Sequence, residues 1–312
     1  MRKSIFYLNI FFILTLLVLS GCQSSSETVN EDQLQVVTTT AQIADPLRII
    51  GGDRIHVESL MGPGVDPHLY EASQSDISRL EQADILFYNG VHLEANMSEV
   101  FEHTSVPTFA FSSAANPSDL LEDPDRPGSP DPHIWFDIDI WEKGIDAAVD
   151  QLKEISPEDA AFFEENKQDY LLQLEQLKAY ALEKLGSIDE DQRVLVTAHD
   201  AFQYFARMTN LEVVALQGLS TESEIGISDV QSTVQTIVEK EIPSVFVESS
   251  VNQSAIQSVI EGVKRQGHQI NLGGELYSDA MGERGTEAGT YIGMYRYNVD
   301  TIYEALSGGT ES

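Results

Sequence analysis

The sequence predicts an α/β protein of two lobes, each a parallel β-sheet flanked by helices, joined by one long α-helix. Three observations carry that expectation. Short β-rich runs alternate with helical stretches in both halves of the 312-residue chain, the order that builds parallel sheets. A single helical repeat from Ser156 to Gly186 separates the two series. The length suffices for two ordinary domains, each able to bury a core of its own.

Residues 1–22 read as a targeting segment. Arg2 and Lys3 give a basic start, and Ile5 to Leu19 an apolar run broken only by Asn9 and Thr15. Leu19-Ser20-Gly21-Cys22 gives a small-residue end. The run is short for a membrane-spanning helix and suits a cleaved signal. Residues 23–33 are polar, lack apolar periodicity, and read as a flexible tether.

The first lobe is expected over residues 34–155. Leu34 to Thr39 is a strand, and Ala41 to Ile50 a helix stopped by Gly51-Gly52. A second strand, Ile55 to Met61, enters the turn-rich run Gly62-Pro63-Gly64-Val65-Asp66-Pro67-His68. Ser73 introduces a helix carrying Ile77 and Leu80, and strands follow at Ile85 to Asn89 and Thr108 to Phe111. An acidic, proline-rich loop from Pro117 to Pro132 delivers His133. Trp135, Ile138 and Trp141 are expected to anchor its return, and a helix through Ala147 and Leu152 closes the lobe.

The linking helix is expected over residues 156–187. Ser156 suits the N-cap, Pro157 the first helical position, and Glu158 and Asp159 the first turn. Phe163, Tyr170, Leu174, Leu177, Ala181 and Leu185 recur three, four or seven residues apart on one helix face, and Gly186 suits the C-cap. At 1.5 Å per residue such a helix is about 43 Å long. A single helix of this kind allows less hinge opening than several flexible strands, so small lobe motions are expected.

The second lobe is expected over residues 188–312. Strands read at Arg193 to Thr197, Glu212 to Leu216, Ser244 to Glu248 and Gln269 to Leu272, with helices at Ser228 to Lys240 and Ser254 to Gln266. The last strand leads through Gly273-Gly274 to Asp279, and Tyr295 to Leu306 forms a closing helix.

With 51 Asp and Glu against 18 Lys and Arg, the net charge is −33. Phosphate backbones would be repelled, which excludes nucleic acid as a partner. Cations would be concentrated, although most of these acids serve as a solvated, repulsive surface. Cys22 is the one cysteine, so neither an internal disulfide nor a thiolate metal site is available.

Candidate donors stand out in four places. Asp-Pro-His occurs twice, ending at His68 and His133. Proline fixes its own φ and extends the residue before it, leaving each histidine on stiff, non-helical backbone. His199 in Thr197-Ala198-His199-Asp200 and Asp279 in Tyr277-Ser278-Asp279-Ala280 follow predicted strands, at the sheet edge where ligands bind. Three imidazoles and one carboxylate suit Zn²⁺ or Mn²⁺, with affinity falling as histidine protonates near pH 6.5. Singly each is weak, because a lone His or Asp in a loop is ordinarily a surface or capping group. His92 is ambiguous between cleft lining and a buried partner. Asp66, Asp131, Asp137 and Asp200 are either orienting partners of the imidazoles or turn and cap residues. Glu248 and Glu275 read as supporting or structural, and His56, His103 and His268 as ordinary strand or loop residues.

Motifs in order lift the combination. The region from about Leu34 to Leu306 resembles the metal-binding solute receptors of bacterial ABC importers, the zinc and manganese receptor lipoproteins. The resemblance rests on residues 61–71, from Met61-Gly62-Pro63-Gly64 through Asp66-Pro67-His68 to Glu71. It rests also on Asp131-Pro132-His133-Ile134-Trp135-Phe136-Asp137, Ala198-His199-Asp200-Ala201-Phe202-Gln203-Tyr204-Phe205 and Gly274-Glu275-Leu276-Tyr277-Ser278-Asp279. It implies His68, His133, His199 and Asp279 as ligands to one transported Mn²⁺ or Zn²⁺. The end of the targeting segment resembles a lipoprotein signal, implying lipidation at Cys22 and an extracytoplasmic place on the bacterial cell membrane. An ABC permease with a cytoplasmic ATPase is the implied partner of a monomeric receptor.

Manganese is favoured, with zinc next. Residues 112–131 lack the histidine-rich loop often seen in zinc-assigned receptors, and residues 285–294 with Ala198-His199-Asp200-Ala201-Phe202 look most like a manganese-assigned branch. Imidazole-rich sites nonetheless favour Zn²⁺ thermodynamically. Two other classes are the alternatives: a zinc-dependent hydrolase using Glu248 or Glu275 as base, and a surface adhesin, a description some family members carry.

Overall fold

The β-rich runs pair in parallel throughout. Strands β1 (Leu34–Thr38), β2 (Ile55–Ser59), β3 (Ile85–Tyr88) and β4 (Thr108–Ala110) form one sheet in the order β2-β1-β3-β4. In the second half β5 (Val194–His199) pairs with β6 (Glu212–Gln217), and β7 (Ser244–Glu248) with β8 (Asn271–Leu276). β5 and β7 pack side by side. The computed structural model describes residues 33–124 and 126–308. The targeting segment, Cys22 and the tether as far as Asp32 lie outside the described residues. No helix among the described residues is long and apolar enough to cross a membrane.

Helices connect the strands: α1 (Ala41–Gly51), α2 (Gln74–Leu80), α3 (Ser98–His103), α4 (Ile138–Ile155), α5 (Ala160–Gly186), α6 (Gln203–Thr209), α7 (Ile227–Glu239), α8 (Ser254–Arg265) and α9 (Tyr291–Leu306). α2 starts on a capping box in which Ser73 Oγ accepts from Asp76 N, and the Asp76 carboxylate accepts from Ser73 N. Asp137 caps α4 by accepting from Asp139 N and Ile140 N.

Strand residues alternate between two buried faces, as in a sheet covered on both sides. Val36, Ile85 and Phe87 point into one apolar cluster, whereas Val37 and Leu86 point into another with Leu60, Met61, Leu80 and Met97. The second half repeats the division: Leu195 and Phe246 join the first cluster, and Val194, Val196, Val245 and Val247 a cluster under α7 and α8. Each lobe was expected to bury its own core. Each half does bury a cluster of its own, but the largest cluster takes side chains from the sheets of both halves and from α5, with Trp135, Phe136, Phe202, Phe205, Tyr291 and Tyr295 knotted between them.

Several boundaries differ from expectation. The linking helix is a 3₁₀ turn at Pro157–Asp159 followed by the 27 residues of α5, about 40 Å long. Ser156 caps no backbone amide; its hydroxyl donates to the Asp159 carboxylate. Gly186 is the last helical residue rather than the cap. The buried stripe of α5 includes Lys167, whose stem is covered while its Nζ pairs with Asp146 at 2.5 Å and Glu164 at 2.9 Å. β8 runs through Gly273-Gly274 instead of stopping at Leu272, bulging against β7. α9 begins four residues early because Thr290 Oγ1 accepts from Gly293 N. The short helices α3 and α6 were not foreseen.

Candidate metal site

Four side chains converge where the strand ends of both halves meet. One donor atom each from His68, His133, His199 and Asp279 lies within 4.8 Å of every other. All four are buried, at 3%, 0%, 0% and 2% exposure. His199 Nε2 is 3.1 Å and His68 Nε2 3.8 Å from Asp279 Oδ2, and His133 Nε2 is 3.4 Å from Asp279 Oδ1. The three imidazole Nε2 atoms and both Asp279 oxygens have no aligned hydrogen-bond partner. Buried polar atoms are ordinarily satisfied, so five orphans aimed at one point mark a place built for a cation.

Local chemistry sets each direction. In both Asp-Pro-His turns the aspartate Oδ1 accepts from the histidine amide two residues on, at 2.9 Å in each. Asp131 Oδ1 also takes His133 Nδ1 at 2.8 Å, turning Nε2 inward. His199 sits on the end of β5 itself, not in a loop after it. Glu248 Oε1, at the end of β7, accepts from the amides of Ala198 and His199, both at 2.9 Å, while its Oε2 comes within 2.5 Å of His199 Nδ1. A carboxylate on Nδ1 leaves Nε2 as the free donor, the arrangement metal-binding imidazoles use. Asp279 follows β8, and its carbonyl accepts from Gln42 Nε2 at 2.8 Å.

The electrostatics follow from burial set against those carboxylates. Burial alone pulls the His133 pKa down, but the charge and hydrogen bond of Asp131, with Asp279 added, carry it up to about 9. His199 is opposed by burial too, yet Asp279 and Glu248 hold it well above its usual range. His68 is pushed down to about 3 by burial, which the Asp279 charge only partly offsets. Burial opposes the charge on Asp279, but the histidines hold its carboxyl well below the usual range. Among the protein's own groups, then, protons on His133 and His199 balance the Asp279 carboxylate, and an arriving cation must displace them.

The profile of the ZnuA family, described as zinc-uptake complex component A, periplasmic, matches residues 36–305. The chain belongs to this family. It matches its relatives along most of its length. The manganese-binding lipoprotein MntA of Bacillus subtilis (strain 168) is 46% identical over 290 residues, covering 92% of this chain and 95% of that one. The manganese ABC transporter substrate-binding lipoprotein PsaA of Streptococcus anginosus is 31% identical, covering 94% of this chain and 96% of its own. The solved periplasmic zinc-binding protein TroA of Treponema pallidum superposes with a TM-score of 0.86 at 42% identity, covering 88% of this chain and 99% of that one.

The remaining candidates separate cleanly on this ZnuA-family frame. Of the four neighbouring aspartates, only Asp131 holds an imidazole. Asp66 binds Thr221 Oγ1 besides its own turn, Asp137 caps α4 and pairs with Arg207, and Asp200 accepts from Gln203. Glu248 supports His199, whereas Glu275 is exposed and accepts from Gln253 Nε2 at 3.3 Å. His92 is exposed with φ of 65° and stands outside the donor group, lining with His68, Pro132 and Leu219 a cavity of about 240 Å³. His56 bonds to Glu58 on its own strand and His268 to Ile242 O, whereas His103, expected in a strand or loop, ends α3 and bonds to Glu99 O one turn back. Unforeseen were Asn89 and Asn96, whose side-chain amides donate to Pro132 O and His68 O, and Tyr204, whose hydroxyl donates to Asp131 O. Only the full fold brings these partners together.

Proposed function

We propose that the chain is the extracytoplasmic receptor of an ABC importer, capturing one Mn²⁺ or Zn²⁺ with His68, His133, His199 and Asp279. The carrying observation is the set of buried, unpartnered Nε2 and carboxylate atoms gathered within 4.8 Å. Manganese is the favoured cargo. Both Asp279 oxygens face the histidines, Oδ1 toward His133 and Oδ2 toward His199 and His68, so the carboxylate can grip an ion with both. That raises the oxygen share and the coordination number above the four-donor shell typical of structural Zn²⁺. The 46% identity to a protein named as manganese-binding supports the same choice, and the TroA likeness keeps zinc second.

In this reading Cys22 carries a lipid anchor and residues 23–33 a tether. Residues 34–155 and 188–312 form the lobes that residues 156–187 join, and the receptor acts as a monomer. It hands its ion to a permease driven by a cytoplasmic ATPase, with small lobe movements and local motion of the Asp279 loop. The hydrolase alternative gains nothing: the Glu248 carboxylate is engaged with β5, and Glu275 points away. No observation favours adhesion.

Elemental analysis of protein purified from its native host, followed by Mn²⁺/Zn²⁺ competition, tests the proposal. One equivalent of either metal, lost on replacing His199 or Asp279 by Ala, is expected. A protein that retains neither would remove the receptor reading.

A further inference from the structure

Asp279 brings the one carboxylate among the four donors, and its main chain is held by side chains from three directions. Ser278 O accepts from Trp135 Nε1 at 3.2 Å, Asp279 O from Gln42 Nε2 at 2.8 Å, and Ala280 O from Ser249 Oγ at 3.3 Å. Ser249 lies just beyond β7 in the same half of the chain, whereas Gln42 lies in the first turn of α1 and crosses from the other half.

Gln42 is 1% exposed, and its Oε1 has no hydrogen-bond partner. A carbonyl only accepts, so the amide must present nitrogen to Asp279 and strand its own oxygen. Burying an unpaired amide oxygen is unfavourable, and a methionine of the same length would fill the space without that cost. Packing therefore gives no reason for glutamine here, whereas holding the Asp279 carbonyl does. Pinning that carbonyl fixes the Cα from which the carboxylate swings onto the site.

We propose that Gln42 is a positioning residue for the metal: it holds the Asp279 main chain so that the carboxylate stays on the ion, and it thereby sets the rate of release. The inference rests on the ligand set proposed above. Losing one such bond should speed release by roughly 3- to 10-fold, and capture, limited by encounter, should keep its rate.

The test is a stopped-flow chelator chase of Mn²⁺ from the loaded full chain, comparing wild type, Gln42→Met, Gln42→Asn, Asp279→Ala and the Gln42→Met/Asp279→Ala double variant. Gln42→Asn keeps an amide in the core but is one methylene too short to reach, so it stands in if the methionine variant fails to fold. Faster release in either single Gln42 variant, an unchanged capture rate, and no added effect of Gln42→Met on chelator-competition affinity once Asp279 is alanine would support the proposal. Unchanged release, or an equal effect with and without the Asp279 carboxylate, would overturn it. If Asp279→Ala itself holds Mn²⁺ like wild type, the ligand reading fails instead.

Discussion

His133 and His199 are aimed by one device used twice, a buried carboxylate on Nδ1 that leaves Nε2 free. Replacing Glu248 by Gln keeps the shape but removes the charge, and metal affinity should fall roughly 10- to 100-fold in chelator competition. The protons carry a second prediction. His133 holds its proton up to about pH 9, so below that pH cation binding must expel it, and affinity should climb as pH rises toward 9 rather than levelling off near 6.5. Calorimetry in buffers of different ionisation heat should show proton release at pH 7; no release there would contradict the protonated pair. The four candidate donors stood out because two of them end stiff Asp-Pro-His turns and the others lie at or just after the ends of β-rich runs. Their supports were only partly legible: Asp131 and Glu248 stood among the possible orienting or supporting groups without a named partner, and Gln42 did not stand out at all. Glu248 and Gln42 reach His199 and Asp279 across 49 and 237 residues of chain, and no local spacing encodes such a meeting.

Periodic elements were read well at this scale, and punctuation was read too literally. The apolar stripe from Phe163 to Leu185 marked α5, because six side chains must share one face to be buried together. Lys167 lies on the same buried face, although its charged end pairs with Asp146 and Glu164. The pair Gly273-Gly274 looked like a stop, yet β8 continues through it because Gly274 adopts φ of 143°, where a side chain is strained. A Cβ there would stand 2.6 Å from Thr301 Cγ2 on α9. Gly274→Val should therefore cost about 1–3 kcal/mol in urea unfolding and disturb the Asp279 loop that follows, lowering metal affinity as well. Unchanged stability would mean that β8 does not need its bulge.

Across the whole molecule, the alternation of strands and helices was enough to foresee parallel sheets flanked by helices, but not that the two halves share a core. A length that permits two domains says nothing about whether their apolar faces turn toward one another. The cluster joining Val36 and Phe87 to Leu195, Phe246 and Tyr295 through α5 ties the two halves together. Thermal unfolding of the metal-free protein should be one transition by calorimetry and by circular dichroism, and two separated steps would refute a common core. Adding cation at 100 times its dissociation constant should stabilise the fold by about 2.7 kcal/mol. Of the four proposed ligands, His68 is the one that lines the open cavity; His133, His199 and Asp279 are backed by Trp135, Glu248 and Gln42. Traffic through such a dead end is single file. A newcomer cannot shoulder the resident ion out from behind, so swapping Mn²⁺ for Zn²⁺ should proceed at a pace set by departure alone, indifferent to how much of the second metal waits outside.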